Sequence, residues 1–212
     1  STLAIIILVP ILIIIILILS LTGEREIFYR QNRIGKDKVN FKLLKFATML
    51  KNSENQGAGT VTLKNDFRVL PFGRILRKPK LNELPQLFNI FLGHMSIIGP
   101  RPLHIKQFSF YNEYDQKVIT SIRPGLSGLA SIVFRDEEKI LQNVSDPDKT
   151  YKEKITPRKA ELEKWYVNNK SLYLYFKLIL LTVIVVIFPS VKIKKFFKNI
   201  KKNTKQFRKL LG

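Results

Sequence analysis

Residues 65–103 read NDFRVLPFGRILRKPKLNELPQLFNIFLGHMSIIGPRPL. Within this stretch, Leu84 to Phe91 predicts a short amphipathic helix. Asn82 stands just before it, where an Asn cap is favoured. Pro85 suits its first turn, and Gly93 can end it. The block closes on Gly99-Pro100-Arg101-Pro102. The two prolines restrict the backbone on both sides of Arg101, so the arginine projects from a stiff, extended segment. A guanidinium held that way suits bidentate phosphate binding; the same residues also make an ordinary rigid turn with a solvated arginine. Arg74, Arg77 and Lys78 place positive charge just before the Asn82-Glu83 pair. Glu83 lies near a helix N-terminus, where the dipole favours an ionised carboxylate and draws in anions. A plain first-turn acid would sit there too.

Toward the N-terminus the chain changes character. Thr2 to Leu19 is TLAIIILVPILIIIILIL, with no charge. A helix of that length reaches about 27 Å, just short of a bilayer core of roughly 30 Å. Pro10 removes one helix hydrogen bond near the middle. Two arrangements are open: a kinked spanning helix, or a re-entrant hairpin that dips in and returns to the same face. No basic segment precedes the run and no A-x-A site follows it, so a cleaved signal peptide is not expected. Arg25, Arg30, Arg33, Lys36, Lys38, Lys42 and Lys45 follow, which sets this side as cytoplasmic.

Toward the C-terminus, Arg123-Pro124-Gly125 repeats the arginine–proline theme. Arg135 precedes an acidic run, Asp136-Glu137-Glu138. Such a run is either solvated or able to hold Mg²⁺ together with a substrate phosphate. Helix is expected over Leu103 to Ile119 and Thr156 to Tyr166, mixed short strand and helix over Val39 to Met49, and a polar loop over Lys51 to Thr60. Leu178 to Phe188 is apolar but too short to span, and reads as a helix in the interface or packed under the domain. The tail from Lys192 is basic, without acids, with Phe196, Phe197, Ile200 and Phe207 at helical spacings. That is the pattern of an amphipathic helix on an anionic leaflet; a solvated tail and a nucleic-acid contact are its competitors.

Composition narrows the classes. The chain has 212 residues and a formal charge of +21, from 37 Lys+Arg against 16 Asp+Glu. An anionic partner follows, and Thr2 to Leu19 favours lipid over nucleic acid. Cysteine is absent, which removes disulfides and thiolate metal sites. His94 and His104 are too few for a histidine zinc site. There is no Walker loop, GxGxxG or HExxH. The fold class expected is mainly α with a few short strands. Its parts are a re-entrant or kinked membrane helix over 1–22, a compact cytoplasmic catalytic domain over 23–170, an apolar interfacial helix over 171–190, and a basic tail over 191–212.

Several pieces together carry a resemblance. They are the apolar segment with its central proline, YRQNRIGKDKVNFKLLKFATM (29–49), the block 65–103, IRPGLSGLAS (122–131) and WYVNNKSLYLYFKLILLT (165–182). In this order they resemble the bacterial sugar transferase family, the monotopic polyprenyl-phosphate phosphoglycosyl transferases. The resemblance implies that a UDP-sugar and undecaprenyl phosphate give undecaprenyl-diphosphate-sugar and UMP, the first membrane step of a surface glycan. It implies Mg²⁺ and a place on the cytoplasmic face of the bacterial inner membrane. It also implies an Asp-Glu pair whose Asp is the nucleophile, with the GPRP arginine near the nucleotide phosphates. Arg74, Arg77, Arg101 and Arg123 are then the phosphate-binding candidates, Asn82 and Glu83 the catalytic pair, and Glu83 and Asp136 the metal candidates.

The sequence departs from that pattern at the pair itself, which reads Asn82-Glu83. An amide does not attack phosphorus as a carboxylate does, and it is a poorer Mg²⁺ ligand. His94 stands for the acid of G-D-M-S, and SIVFRDEE follows the RPG segment. Three readings remain: another carboxylate (Glu83, Asp136, Glu137 or Glu138) is the nucleophile; the lipid phosphate attacks directly; or the protein is a catalytically silent, membrane-bound interaction protein.

Overall fold

The computed structural model describes residues 2–57, 66–137, 141, 144, 146–188 and 191. The basic tail from Lys192, Glu138 and part of the polar loop, 58–60, lie outside these. The chain forms two compact units. The first comprises Ser1–Arg33 and Phe41–Met95, the second Ile34–Asn40 and Ser96–Gly212. Helices dominate and the strands are few and short, as the sequence leads one to expect.

In the first unit, α1 (Thr2–Leu21) is a single helix that contains Pro10. Leu12, Ile15 and Leu19 recur at helical spacing and are buried with Phe46 and Leu76, with Phe72, Leu81 and Leu84 at the margin. The other faces of α1 are equally apolar but open: Ile7, Ile14 and Leu21 are 65%, 57% and 79% exposed. Among the described residues no helix is long and apolar enough to cross a membrane. β1 (Phe28–Ile34) pairs with β2 (Asn40–Phe46) in a two-stranded sheet. α2 (Pro71–Arg77) starts on its proline and packs against a 3₁₀ turn, Leu81–Glu83. Gly73 is required there, because a Cβ would lie 2.3 Å from the Thr48 carbonyl oxygen. Then comes α3 (Gln86–Phe91). It begins two residues later than expected, with Pro85 as its N-cap and no side-chain cap bond. Asn82 is therefore not a helix cap: it is buried inside the 3₁₀ turn. Gly93, at φ +78, does follow the helix end.

An ion pair absent from the sequence reading anchors this unit's loop. Arg68 is 1% exposed and donates through Nε to Asp66 Oδ1 at 2.8 Å and through Nη1 to the carbonyls of Ser53 and Gln56 at 2.7 and 2.8 Å. A buried guanidinium is tolerated because its donors are matched.

In the second unit, β3 (Ser96–Ile98) runs parallel to β4 (Gly125–Ser127), pairing Ser96 with Gly125 and Ile98 with Ser127. Between them lie α4 (Ile105–Phe108) and α5 (Glu113–Ile119). The single helix expected over Leu103 to Ile119 is thus two. Asn112 breaks it by accepting the Asp115 N–H at 2.8 Å, starting a new helix rather than continuing the old one. α6 (Leu129–Val133) follows. Then α7 (Pro147–Thr150), a π-helical turn (Tyr151–Ile155) and α8 (Thr156–Asn169) run head to tail. α8 packs on α5 and α6. α9 (Leu172–Ile187) opens on a Ser171 cap, whose Oγ accepts the Leu174 N–H at 3.2 Å. Its Leu174, Leu178, Leu181 and Val185 enter the core with Ile98, Leu129, Leu162 and Tyr166. Its opposite side leaves Tyr173, Phe176 and Leu180 exposed.

Candidate active site

The second unit locks two arginine-bearing loops together. Gly99 N–H donates to the Ser127 carbonyl at 3.0 Å, Gly125 N–H to Pro100 at 2.8 Å and Ser96 N–H to Pro124 at 2.8 Å. Backbone meets backbone here: a Cβ on Gly125 would lie 2.1 Å from the Gly99 nitrogen. Arg101 and Arg123 therefore project from a common, stiff platform. Arg101 is half-buried and Arg123 exposed. The Arg101 N–H donates to Glu163 Oε1 on α8 at 3.3 Å. Lys159, one turn earlier on α8, is buried beside Glu137, to which it donates, and Tyr151, whose hydroxyl accepts at 3.1 Å. Burial works against its charge, but Tyr151 and Glu137 outweigh that and raise its pKa. Asp136 is exposed, 3.7 Å from Arg135 Nε.

The first unit carries the Asn82-Glu83 pair. Glu83 lies 3.6 Å from Lys45 Nζ, both side chains mostly sheltered. Lys45 sits on β2, and β2 is pinned by Asn89 from α3: Asn89 accepts the Leu44 N–H at 2.9 Å and donates to the Lys42 carbonyl at 2.8 Å. Arg74 and Arg77 occupy the last turn of α2, where cations also complement the helix dipole. So β2 and the 3₁₀ turn bring one carboxylate to one lysine, α2 adds two arginines in its last turn, and the loops 99–102 and 123–125 give two more. Glu83, Asn82, Arg74 and Arg77 belong to the first unit, and Arg101, Arg123 and Asp136 to the second.

Among the described residues, no three His, Asp or Glu side chains cluster to hold a metal. Magnesium asks for less: one or two carboxylates, with substrate phosphates and water supplying the rest. Glu83 is one such carboxylate, with Lys45 Nζ 3.6 Å from it. Lys45, Lys159 and Glu163 were not singled out from sequence as site residues. Helical periodicity signals the latter two, since Lys159, Leu162, Glu163 and Tyr166 share the buried face of α8.

Residues 1–189 match the family model described as bacterial sugar transferase, and the chain belongs to that family. It is similar to the UDP-N-acetylgalactosamine-undecaprenyl-phosphate N-acetylgalactosaminephosphotransferase of Aeromonas hydrophila, 32% identical over 188 residues (86% of this chain, 40% of that protein). It is 33% identical over 186 residues to the UDP-glucose:undecaprenyl-phosphate glucose-1-phosphate transferase of Klebsiella pneumoniae (86% of this chain, 37% of that protein). The exopolysaccharide production protein ExoY of Sinorhizobium fredii is 36% identical over 151 residues (65% of this chain, 66% of that protein). The chain thus spans about two fifths of the length of the first two relatives.

Proposed function

We propose that the protein is a phosphoglycosyl transferase that moves a phospho-sugar from a UDP-sugar to undecaprenyl phosphate and releases UMP. The observation that carries this reading is the family match over residues 1–189, with relatives named for that transfer. Arg101 and Arg123 are the groups we assign to phosphate. A planar fork on a stiff loop stabilises charge on a diphosphate without reorganising. Glu83 is the carboxylate we assign to chemistry, since Asn82 cannot take that role. It would attack the sugar-bearing phosphorus of the UDP-sugar. The bond from that phosphorus to the bridging oxygen breaks and UMP leaves. Undecaprenyl phosphate then attacks the same phosphorus, and the carboxylate is released unchanged. Direct attack by the lipid phosphate gives the same products without the intermediate. Lys45 Nζ, 3.6 Å away, is the cation paired with Glu83 in either role. Glu83 is also the residue that would hold Mg²⁺ with the substrate diphosphate; the ion would neutralise charge there. Asp136 remains a second candidate ligand.

The two named relatives act on different sugars, so identity at this level does not select the sugar. The product would be the first lipid-linked sugar of a surface glycan, made at the cytoplasmic face of the bacterial inner membrane. The open apolar faces of α1 and α9 support membrane attachment, because water-exposed apolar surface on that scale marks an interaction site. A re-entrant α1 dipping into one leaflet, with α9 lying in the interface and the basic tail on anionic lipid, is the arrangement we favour.

The experiment is UMP release by detergent-solubilised protein from a panel of UDP-sugars, with and without undecaprenyl phosphate. Turnover with at least one sugar is expected. No release from any sugar, in protein that still binds UDP, favours the silent interaction protein instead.

A further inference from the structure

Glu163 and Lys159 are buried on one face of α8, at 4% and 5% exposure. The two Glu163 oxygens are treated differently. Oε1 accepts the Arg101 N–H. Oε2 is buried with no hydrogen-bond partner among the described residues, and so is the Ser131 hydroxyl from α6. Both side chains line one small cavity with Pro100, Arg101, Tyr111 and Lys159. An unmatched carboxylate oxygen is costly in such a place. A neutral carboxyl is not, because its O–H can donate through one water to the Ser131 hydroxyl across the same cavity.

We propose that Glu163 is a positioning residue for Arg101: a buried carboxyl that accepts the Arg101 N–H, shares its cavity with the Ser131 hydroxyl, and fixes how the Gly99–Pro102 turn presents its guanidinium. The proposal builds on Arg101 as a phosphate ligand, but the geometry of the clasp stands apart from it.

The charges around Glu163 tell which form it takes. Burial raises its carboxyl to about 8, against the opposing pull of the Arg101 N–H and of the Lys159 and Arg101 charges. Lys159 is already engaged by Glu137 and Tyr151. Tyr111, held well above its ordinary pKa by burial and by Tyr151, Glu163, Glu137 and Asp115, also faces the cavity. Tyr166, a turn further along α8, is pushed up to about 12, chiefly by burial. These neighbours titrate well above Glu163. Ionisation of Glu163 removes the O–H donor and shifts the turn that carries Arg101.

The test follows the Arg101 amide by ¹⁵N NMR in the full chain across the neutral-to-alkaline range. In the wild type it should titrate with a midpoint near 8. In Glu163→Gln, which keeps an acceptor for the N–H but cannot ionise, the titration should vanish and the amide should rest near its wild-type position at low pH. A pH-invariant wild-type amide, or a titration that survives in Glu163→Gln, overturns the proposal. UDP binding by calorimetry gives the functional readout. Wild-type binding should decline as pH rises through about 8; Glu163→Ala should weaken it about tenfold at neutral pH, while Glu163→Gln stays close to wild type there and shows no such decline. If Glu163→Ala does not fold, the wild-type and Gln spectra decide alone. UDP binding that is sensitive to Arg101→Lys yet equal in wild type and Glu163→Ala overturns the proposal. If Arg101→Lys binds UDP like wild type while the amide behaves as expected, the clasp stands and Arg101 loses its phosphate role.

Discussion

Arg101 is the residue whose chemistry is easiest to isolate. Lysine keeps its charge and loses the planar fork. Arg101→Lys should cost at least about tenfold in kcat/KM for UDP-sugar, roughly 1.4 kcal/mol of transition-state stabilisation; unchanged kinetics would remove the role. At the other candidate group, Glu83→Gln should abolish turnover. Asn82→Asp should be tolerated and can speed the reaction. Intact mass separates the routes: with Glu83 as nucleophile, UDP-sugar alone leaves a phospho-sugar adduct, and with direct attack it does not. An active Glu83→Gln enzyme would redirect attention to Asp136, Glu137 and Glu138. Glu163 makes a prediction about stability as well. Its carboxyl is raised from 4.5 to about 8 in the fold, so between those values the folded chain keeps a proton that the unfolded chain has released. Its contribution is fully present below the unfolded value and is lost as pH rises through the folded one, at up to about 1.4 kcal/mol per pH unit. Glu163→Gln should therefore match wild type in thermal melts at the acid end of the window and gain on it toward pH 8. A difference that stays constant across that window would contradict the buried, raised carboxyl.

Among the elements, the contact between the loops bearing Arg101 and Arg123 is the most exacting. Gly125→Ala forces a Cβ against the Gly99 backbone. Denaturant melts should show a loss of at least about 1–3 kcal/mol. Wild-type stability would mean that the loops part more readily than their hydrogen bonds indicate. α9 offers the opposite case. Phe176 is 64% exposed, so Phe176→Asp should change stability by no more than about 0.5 kcal/mol while weakening liposome flotation. Equal flotation would take α9 out of the interface. The 212-residue sequence has no cysteine, so a single one placed just ahead of α1 reports topology cleanly. Labelling from the cytoplasmic side alone is expected of a re-entrant α1, whereas periplasmic labelling would show a span. The legible elements were those with a strong local signal. The apolar run Leu178–Phe188 and the Gly93 stop could be read directly, and so could the mainly helical character, although α9 begins at Leu172, ahead of the run. The β1–β2 hairpin was less so, because Phe28–Phe46 mixes charges with apolar residues and its partly buried face has no strict alternation. The Asn112 break was missed because a cap inside a periodic helical stretch looks like one more polar position. Glu163 and Lys159 were missed because charged residues on a helix read as solvent-facing until neighbours such as Leu162 and Tyr166 show the face to be buried.

For the whole molecule, charge and apolar surface act together. The formal charge of +21 should speed binding to anionic vesicles at low salt. That advantage should fade as the Debye length shrinks toward about 8 Å near physiological ionic strength. Binding indifferent to both salt and anionic lipid would leave only the apolar faces to explain attachment. Glu83 and Lys45 belong to the first compact unit, and Arg101 and Arg123 to the second. Sequence reading placed all of these except Lys45 on the list of candidates; how the groups are braced, through Asn89 and Glu163, required the fold. The most direct measurement is the lipid product itself. Solubilised protein, undecaprenyl phosphate and a panel of UDP-sugars should give undecaprenyl-diphosphate-sugar by mass spectrometry, in step with UMP and lost in Glu83→Gln. UMP without the lipid-linked sugar, or product that persists in Glu83→Gln, would contradict the account.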